Sequence, residues 1–527
     1  MTPSRIRLHV ILAWIVVILL TSIPYIYGFH ISPKHYHFLG FTYNIDDACV
    51  YLSWMRQARD GHFFIHNLFT AEPQRFLPFN LLFLAMGLFS RMTSLSPALT
   101  FHIWRIALIF AVLLGIARIC RILNKDDLAP IVIWLAALSS GLGWLLRLGS
   151  SINRPIDLWQ PEAITFLSAY LNPLFLAGIA LMLWTFGGLL CSVKENRLIP
   201  AIGAGISLFL LANIHTYDLI VVGLTWTAYT IYLLVVSRTE GWQAIKSGIV
   251  AAVVASPMIA YQVFLYIHEP VYWLRAQTPA ESPAIWFYLI GYGFVLVFAV
   301  AGAVKAIRSK DRTAIFLMIW VLVGLSAIYL PFSQQRKLIM GTHVPLCILA
   351  ATVLVPIIAR VRAVRPNLAW AAILILLMPS NLLFLANDAS LLQQNMTAPN
   401  FPAALSDDQA TVLNWLSQKA TPYDVILAPP DLALFIPALA GKRVYYGHWS
   451  ETPDYSDKIN EWFGFADIHT SISERAEFLR AAKITLVVQN LQTGRVGDRE
   501  IGGPLSRDIA RVVFRAGDLA VYRVSER

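Results

Sequence analysis

Tyr43-Asn44-Ile45-Asp46-Asp47-Ala48-Cys49-Val50-Tyr51-Leu52-Ser53-Trp54 follows the first strongly apolar run of the chain, Val10 to about Phe29. Two adjacent carboxylates beside an apolar run are costly unless they are solvated or used. From Asp47 onward the residues divide at helical spacing. Asp47, Tyr51, Trp54 and Ala58 share one side; Ser53, Arg56, Gln57 and Asp60 share the other. The spacing predicts a short amphipathic helix lying at a membrane surface. Asp46 and Asp47 fall at its N-terminus, where the helix dipole favours negative charge. Two readings stand side by side: the acids only cap the helix, or they carry chemistry.

The rest of the chain explains why a membrane surface is invoked. Of 527 residues, 57% are hydrophobic and 14% charged, and the mean hydropathy is +0.60. That composition belongs to polytopic membrane proteins. The net charge of +10 is no nucleic-acid signature, because the basic residues cluster between apolar runs. Cys49, Cys120, Cys191 and Cys347 lie far apart and suggest neither a disulfide framework nor a metal site. Arg5 and Arg7 precede the first apolar run, and no small-residue cleavage site follows it. It reads as an uncleaved first span.

Runs long enough to cross a bilayer recur near 10–29, 98–120, 129–148, 165–190, 199–214, 218–237, 247–267, 285–304, 313–331, 342–359 and 368–386, about eleven spans. The polar knot Asn213-Ile214-His215-Thr216-Tyr217-Asp218 predicts a turn between two of them. One set of short loops carries Arg118, Arg121, Lys125, Lys194, Arg197, Arg238, Lys246, Lys305, Arg308, Lys310, Arg312, Arg360, Arg362 and Arg365. The opposite short loops hold mainly Arg154, Arg275, Arg336 and Lys337. The positive-inside bias therefore predicts a cytoplasmic N-terminus and an outer C-terminus in a multi-pass plasma (inner) membrane protein.

This topology puts Asp46, Asp47, Glu72, Arg75, Asp157, Glu162, His215, Asp218, Arg275, Arg336 and Lys337 on the outer side. The first outer loop, 30–97, is too long for a connector. It runs through Gly61, a C-cap residue for the acidic helix, and Asn67–Arg75. An apolar segment from Phe76 to Phe89 follows, short for a span and suited to an interfacial or re-entrant helix.

From about 388 the chain changes character, giving a membrane domain over 1–387 and a second domain over 388–527. Ser406-Asp407-Asp408-Gln409 is a capping-box signal. Strand patterns at Asp424–Ala428, Arg443–Tyr446 and Ile484–Gln489 alternate with helical patterns at Leu432–Leu439, 456–464 and 473–483. Ala510–Phe514 and Leu519–Val524 form a hairpin around Gly517-Asp518. The alternation predicts an extracytoplasmic α/β domain. Gly447–Asp454 leaves the C-terminal end of one strand, where open α/β sheets place ligand loops; a plain surface loop is an equal reading. Asn395-Met396-Thr397 is a formal glycosylation sequon.

Several polar constellations carry competing readings. Arg336 and Lys337 suit a phosphate, or anchor at lipid headgroups. His215 and Asp218, spaced i, i+3, are a proton-handling or metal-ligating couple, or a satisfied turn. Asp157 and Glu162 add a carboxylate to a site, or cap helices.

A long first outer loop opens with the acidic pair and places Tyr51 four residues after the second acid. An interfacial helix, many spans and an outer C-terminal domain follow. In this the chain resembles the integral-membrane glycosyltransferases of the GT-C superfamily, whose members include protein O-mannosyltransferases and aminoarabinose transferases of lipid A. The resemblance is sharpest over residues 1–190. It implies a mainly α polytopic membrane fold and a sugar donor carried on a polyprenyl phosphate. It implies a first-loop Asp as the acceptor-activating base, which falls on Asp46, with Asp47 as the second acid. Aminoarabinose-type enzymes carry a basic residue before a Pro-Pro pair, where this chain has Glu72-Pro73 with Arg75 nearby. That departure makes Arg75 or Arg336 the phosphate candidate and leaves the acceptor class open, whether glycan, lipid or protein.

The chemistry agrees. Inverting transfer needs one carboxylate to take a hydroxyl proton and a cation to hold the departing phosphate. Mg2+ or Mn2+ is compatible, since Asp46, Asp47 and Asp157 or Glu162 could gather oxygens, but no ligand spacing demands it. The rival classes are a transporter or flippase and a non-catalytic binder of lipid-linked sugar. The sequence shows no inverted repeat, no paired broken helices and no charge buried mid-span, as a transporter would.

Overall fold

The computed structural model describes residues 3–146, 154–362, 373, 376–397 and 402–525. The chain forms two compact units. One comprises Met1–Pro24, Phe101–Phe264 and Gln277–Asn387; the other comprises Tyr25–Thr100, Leu265–Ala276 and Asp388–Arg527.

The described residues of the first unit form helices joined by loops, with no strand among them. Among the described residues of the chain, eight helices are long and apolar enough to cross a membrane: Ser4–Ile31, Pro97–Ile122, Ala129–Leu146, Pro173–Glu195, Asp218–Val236, Arg238–His268, Ile285–Arg308 and Gln335–Arg360. Ile199–Ile214 and Arg312–Ala327 are shorter apolar helices. Together they account for ten of the expected spans, and the fold is a polytopic membrane fold. Part of the eleventh, 368–386, lies outside the described residues, as does Arg365.

Two differences from expectation have identifiable physical causes. The run at 165–190 is broken into helices Thr165–Leu171 and Pro173–Glu195. Asn172 between them is extended (φ −153°, ψ 154°), and its side chain caps the second helix by accepting from the Phe175 N–H. Pro173 has no N–H to continue the first helix and suits the first position of the next. The second difference is Arg105, which is buried inside the helix Pro97–Ile122, so a mid-span charge does exist. It donates to the Thr21 hydroxyl (2.9 Å) and the Ala169 carbonyl (2.8 Å). Those bonds offset the desolvation of its guanidinium.

The second unit holds the strands: β1 Tyr36–Phe38, β2 Ala404–Ser406, β3 Val425–Leu427, β4 Arg443–Val444, β5 Leu486–Asn490, β6 Thr493–Val496, β7 Arg499–Gly502, β8 Ala510–Ala516 and β9 Leu519–Val524. A five-stranded sheet runs in the order β4-β3-β5-β9-β8. β3 is parallel to β4 and β5, and β9 is antiparallel to β5 and β8. Helices Asp407–Lys419, Tyr455–Ala466 and Ile472–Ala481 flank the strands in sequence. The Ser406–Gln409 capping box forms as expected, and the β8–β9 hairpin turns through Gly517 at φ +51°. The β1–β2 pairing and the β6–β7 hairpin were not anticipated.

Helix α2, Ile45–Arg59, belongs to this second unit, as does the helix Leu81–Thr93. α2 ends in Gly61 at φ +101°, a backbone state that side chains resist.

Candidate functional site

Asn44 stands at the N-cap of α2, with Asp46 and Asp47 in its first turn. The helix is not the amphipathic surface helix its sequence predicts. Ser53 and Gln57, on the polar side, are as buried as Tyr51 and Trp54. Tyr51 stacks on Phe83 of Leu81–Thr93 (4.9 Å, 10°), and Trp54 meets the same ring edge-on at 5.4 Å. Gln57 is satisfied by protein: its Oε1 accepts the His66 N–H (2.8 Å) and its Nε2 donates to the His66 carbonyl (2.9 Å). Arg56 donates to the Leu439 carbonyl and to Ser417 Oγ. The helix is thus anchored on several sides, and its first turn is held in place.

Against that turn lies the loop leaving β4. Trp449 Nε1 donates to Asp46 Oδ2 at 2.9 Å. His448 Nε2 stands 3.8 Å from both Asp46 Oδ2 and Asp47 Oδ1. The Asn44 amide donates to Asp47 Oδ2 at 3.3 Å. The carboxylates remain 28% and 38% exposed, whereas the His448 ring is wholly buried.

The imidazole's state follows from its other nitrogen. The Ser450 N–H donates to His448 Nδ1 (3.1 Å), so Nδ1 is an acceptor and the proton of the neutral ring sits on Nε2, facing the acids. Burial pushes the His448 pKa below its usual range; Asp46 and Glu451 oppose that shift and Arg275 adds to it. The loop itself is braced. Thr452 Oγ1 accepts from the Gly447 and His448 N–H groups and donates to the Phe69 carbonyl.

Around this core Arg275 and Lys458 are each paired with a carboxylate. Arg275 Nε pairs with the buried Glu451 at 2.6 Å, and its guanidinium lies over Trp54 at 4.9 Å. Lys458 Nζ pairs with Glu72 Oε1 at 2.6 Å. The Arg75 side chain is exposed, while its backbone N–H and that of Phe76 donate to Glu269 Oε2.

The remaining candidates lie in the other unit. Arg336 Nη2 is 3.8 Å from Glu162 Oε1, and its guanidinium lies over Trp159 at 5.0 Å. The Lys337 ammonium lies over Tyr217 at 5.0 Å. His215 Nδ1 and Asp218 Oδ2 are 3.1 Å apart, both buried, at the turn before helix Asp218–Val236. Asp157 Oδ2 accepts the Gly141 and Gly143 N–H groups (3.0 and 3.1 Å), and burial raises its pKa to about 6.

Within the second unit the structure therefore gathers Asp46 and Asp47 with His448 and Trp449, and near them Tyr51, Trp54, Arg275 and Glu451. The sequence singled out the acids and Tyr51. It offered only a weak signal for His448 and Trp449, their place in the loop after a strand. A divalent metal finds no ready ligand set. Among the described residues no group of three His, Cys, Asp or Glu side chains stands at metal-holding geometry. His448 turns an N–H, not a lone pair, toward the acids. Asp157 and Glu162 are engaged by backbone N–H groups and by Arg336.

No family model and no curated protein matches the sequence. Solved structures do match in shape. The oligosaccharyltransferase AglB of Archaeoglobus fulgidus, in complex with an inhibitory peptide and a dolichol-phosphate, is 11% identical over 93% of this chain and 70% of its own, at a TM-score of 0.56. ArnT of Cupriavidus metallidurans, bound to undecaprenyl phosphate, is 13% identical over 97% of both chains, at a TM-score of 0.51. A third structure, the same AglB with Zn and sulfate, is 11% identical over 91% of this chain and 68% of its own, at a TM-score of 0.54. The chain shares the fold of these structures.

Proposed function

We propose that this protein is a membrane glycosyltransferase. It transfers a sugar from a polyprenyl-phosphate donor to an acceptor at the outer face of the membrane. Support comes from the fold shared with AglB and ArnT, whose structures hold dolichol-phosphate and undecaprenyl phosphate. The observation that carries the reading is Asp46: a part-exposed carboxylate with one oxygen fixed by the Trp449 indole N–H.

Asp46 is the general base. It takes the acceptor hydroxyl proton as that oxygen attacks the anomeric carbon, and the bond from that carbon to the phosphate oxygen breaks with its electron pair on the phosphate. The transfer is inverting. The Trp449 indole N–H keeps Asp46 oriented between turnovers. A cation holds the phosphate as charge builds on it. Arg336 is the leading candidate, with Arg75 and Lys337 behind it. A divalent metal, such as the Zn in one AglB structure, remains compatible with the fold, but no step here is routed through one.

The positive-inside bias supports a cytoplasmic N-terminus and an outer 388–527 domain. Cysteines placed at 390 and 450 should then react with an impermeant thiol reagent in intact cells, and one at 309 should not.

Purified protein in proteoliposomes, given a polyprenyl-phosphate donor radiolabelled in its sugar and an envelope acceptor fraction, tests the reaction. The label should leave the lipid and enter the acceptor. Label that crosses the bilayer still attached to the lipid would identify a flippase instead.

A further inference from the structure

The groups around Asp46 are unevenly spent. Every hydrogen-bond donor named there already faces a carboxylate. Trp449 Nε1 is on Asp46, Asn44 Nδ2 on Asp47, and His448 Nε2 points between the two acids. Arg275 is paired with Glu451 and Lys458 with Glu72. Four of the loop's backbone donors are also used internally. Gly447 and His448 give their N–H groups to Thr452 Oγ1, Ser450 gives its own to His448 Nδ1, and Thr452 to the His448 carbonyl. A peptide strand, which needs backbone donors and acceptors in alternation, finds few there.

What the surface offers is acceptor oxygen and one aromatic face. Trp449 is 49% exposed although its N–H is bonded. One side of the indole lies nearly parallel to the buried His448 ring (5.8 Å, 26°). The Thr452 bonds fix the loop, so the other face is a preset platform beside the carboxylate. A ligand complementary to this surface brings several donors and a flat C–H face.

Resting on the glycosyltransferase reading above, we propose that the acceptor is itself a carbohydrate. A pyranose ring stacks its C–H face on Trp449 and directs a hydroxyl at Asp46, with neighbouring hydroxyls donating to Asp47. That hydroxyl loses its proton to Asp46 and becomes the new glycosidic oxygen.

Saturation-transfer NMR on the purified full chain tests this without any donor. The probes are methyl α-glucoside, methyl α-mannoside and methyl β-galactoside, compared with tetramethylammonium and the blocked dipeptide acetyl-Ala-Thr-amide. At least one glycoside should receive saturation on its ring C–H protons. Trp449→Phe, which keeps a ring but loses the N–H, should retain most of that binding and serves as the folding control. Trp449→Ala should bind roughly tenfold more weakly. Three results overturn the proposal: no glycoside signal in any form, glycoside binding unchanged in Trp449→Ala, or a Trp449-dependent signal from the ammonium ion or the dipeptide alone. Because the assay measures binding only, such a result would leave the transferase reading standing if the labelled sugar still moved in the transfer assay.

Discussion

Asp46-Asp47 and Arg336-Lys337 look like mirror images in sequence: two adjacent like charges next to apolar runs. The structure treats them differently. The acids are held by N–H donors from an indole and an amide, with the His448 imidazole 3.8 Å away, and they stay about one-third exposed. The cations lie over aromatic rings, Arg336 on Trp159 and Lys337 on Tyr217, and Arg336 also faces the buried Glu162 at 3.8 Å. Hydrogen bonds fix the direction of a carboxylate's lone pairs; a π face steadies a cation without using its donors. The acidic pair is therefore fixed in direction, while the basic pair is steadied by ring faces; the proposed roles of base and phosphate holder predict that the two pairs respond differently to substitution.

The sharpest way to break this contrast is to remove both acidic charges. The double substitution Asp46→Asn, Asp47→Asn keeps side-chain volume and should lower transfer by about 100-fold or more, with thermal stability little changed. Activity near that of the parent protein would reduce the pair to a structural role at the start of α2.

Arg336→Ala should cost about 2–4 kcal/mol of transition-state stabilisation, read from kcat/KM for the lipid donor. Arg336→Lys should lie between, since the ammonium keeps the charge and loses the fork. Equal activity in all three forms would make Arg336 a headgroup anchor and end the comparison.

The smallest effect concerns stability. Asp431 is partly buried and accepts from the Gln409 amide at 2.9 Å, and desolvation raises its pKa to about 6 from the ordinary 3.8. The folded state therefore binds the proton more tightly than the unfolded chain between those values. Its contribution to stability is full below the unfolded pKa and is lost as pH rises through about 6. Asp431→Asn should stabilise the protein at pH 7 by on the order of 1–2 kcal/mol and flatten this pH dependence, as thermal denaturation at pH 5 and pH 7 would show.

How much of this was legible in the sequence depended on the range of each interaction. Membrane helices announce themselves by local composition, and the Ser406–Gln409 capping box and the Gly517 turn are written within a few residues. The α/β character of the C-terminal region was visible from its alternating periods. The misread elements take their meaning from distant partners. Gln57 looks solvent-facing until the His66 backbone satisfies it, and Arg105 looks tolerable only once Thr21 and Ala169 are beside it. The Trp449–Asp46 bond spans 403 residues, so no local pattern could pair the loop after β4 with the start of α2. Asp46 was legible because it resembles a superfamily position; His448 and Trp449 had no such marker.

Single-turnover sugar transfer by purified, folded Asp46→Asn and Asp47→Asn, measured side by side, tests the central claim most directly. Asn44, not Asp46, holds the N-cap position, and asparagine at 46 keeps the side-chain volume, so a structural role and catalysis predict different outcomes from one substitution. The account predicts a fall of about 100-fold or more for Asp46→Asn and a milder loss for Asp47→Asn. Full activity in Asp46→Asn, with loss confined to Asp47→Asn or absent from both, would contradict it.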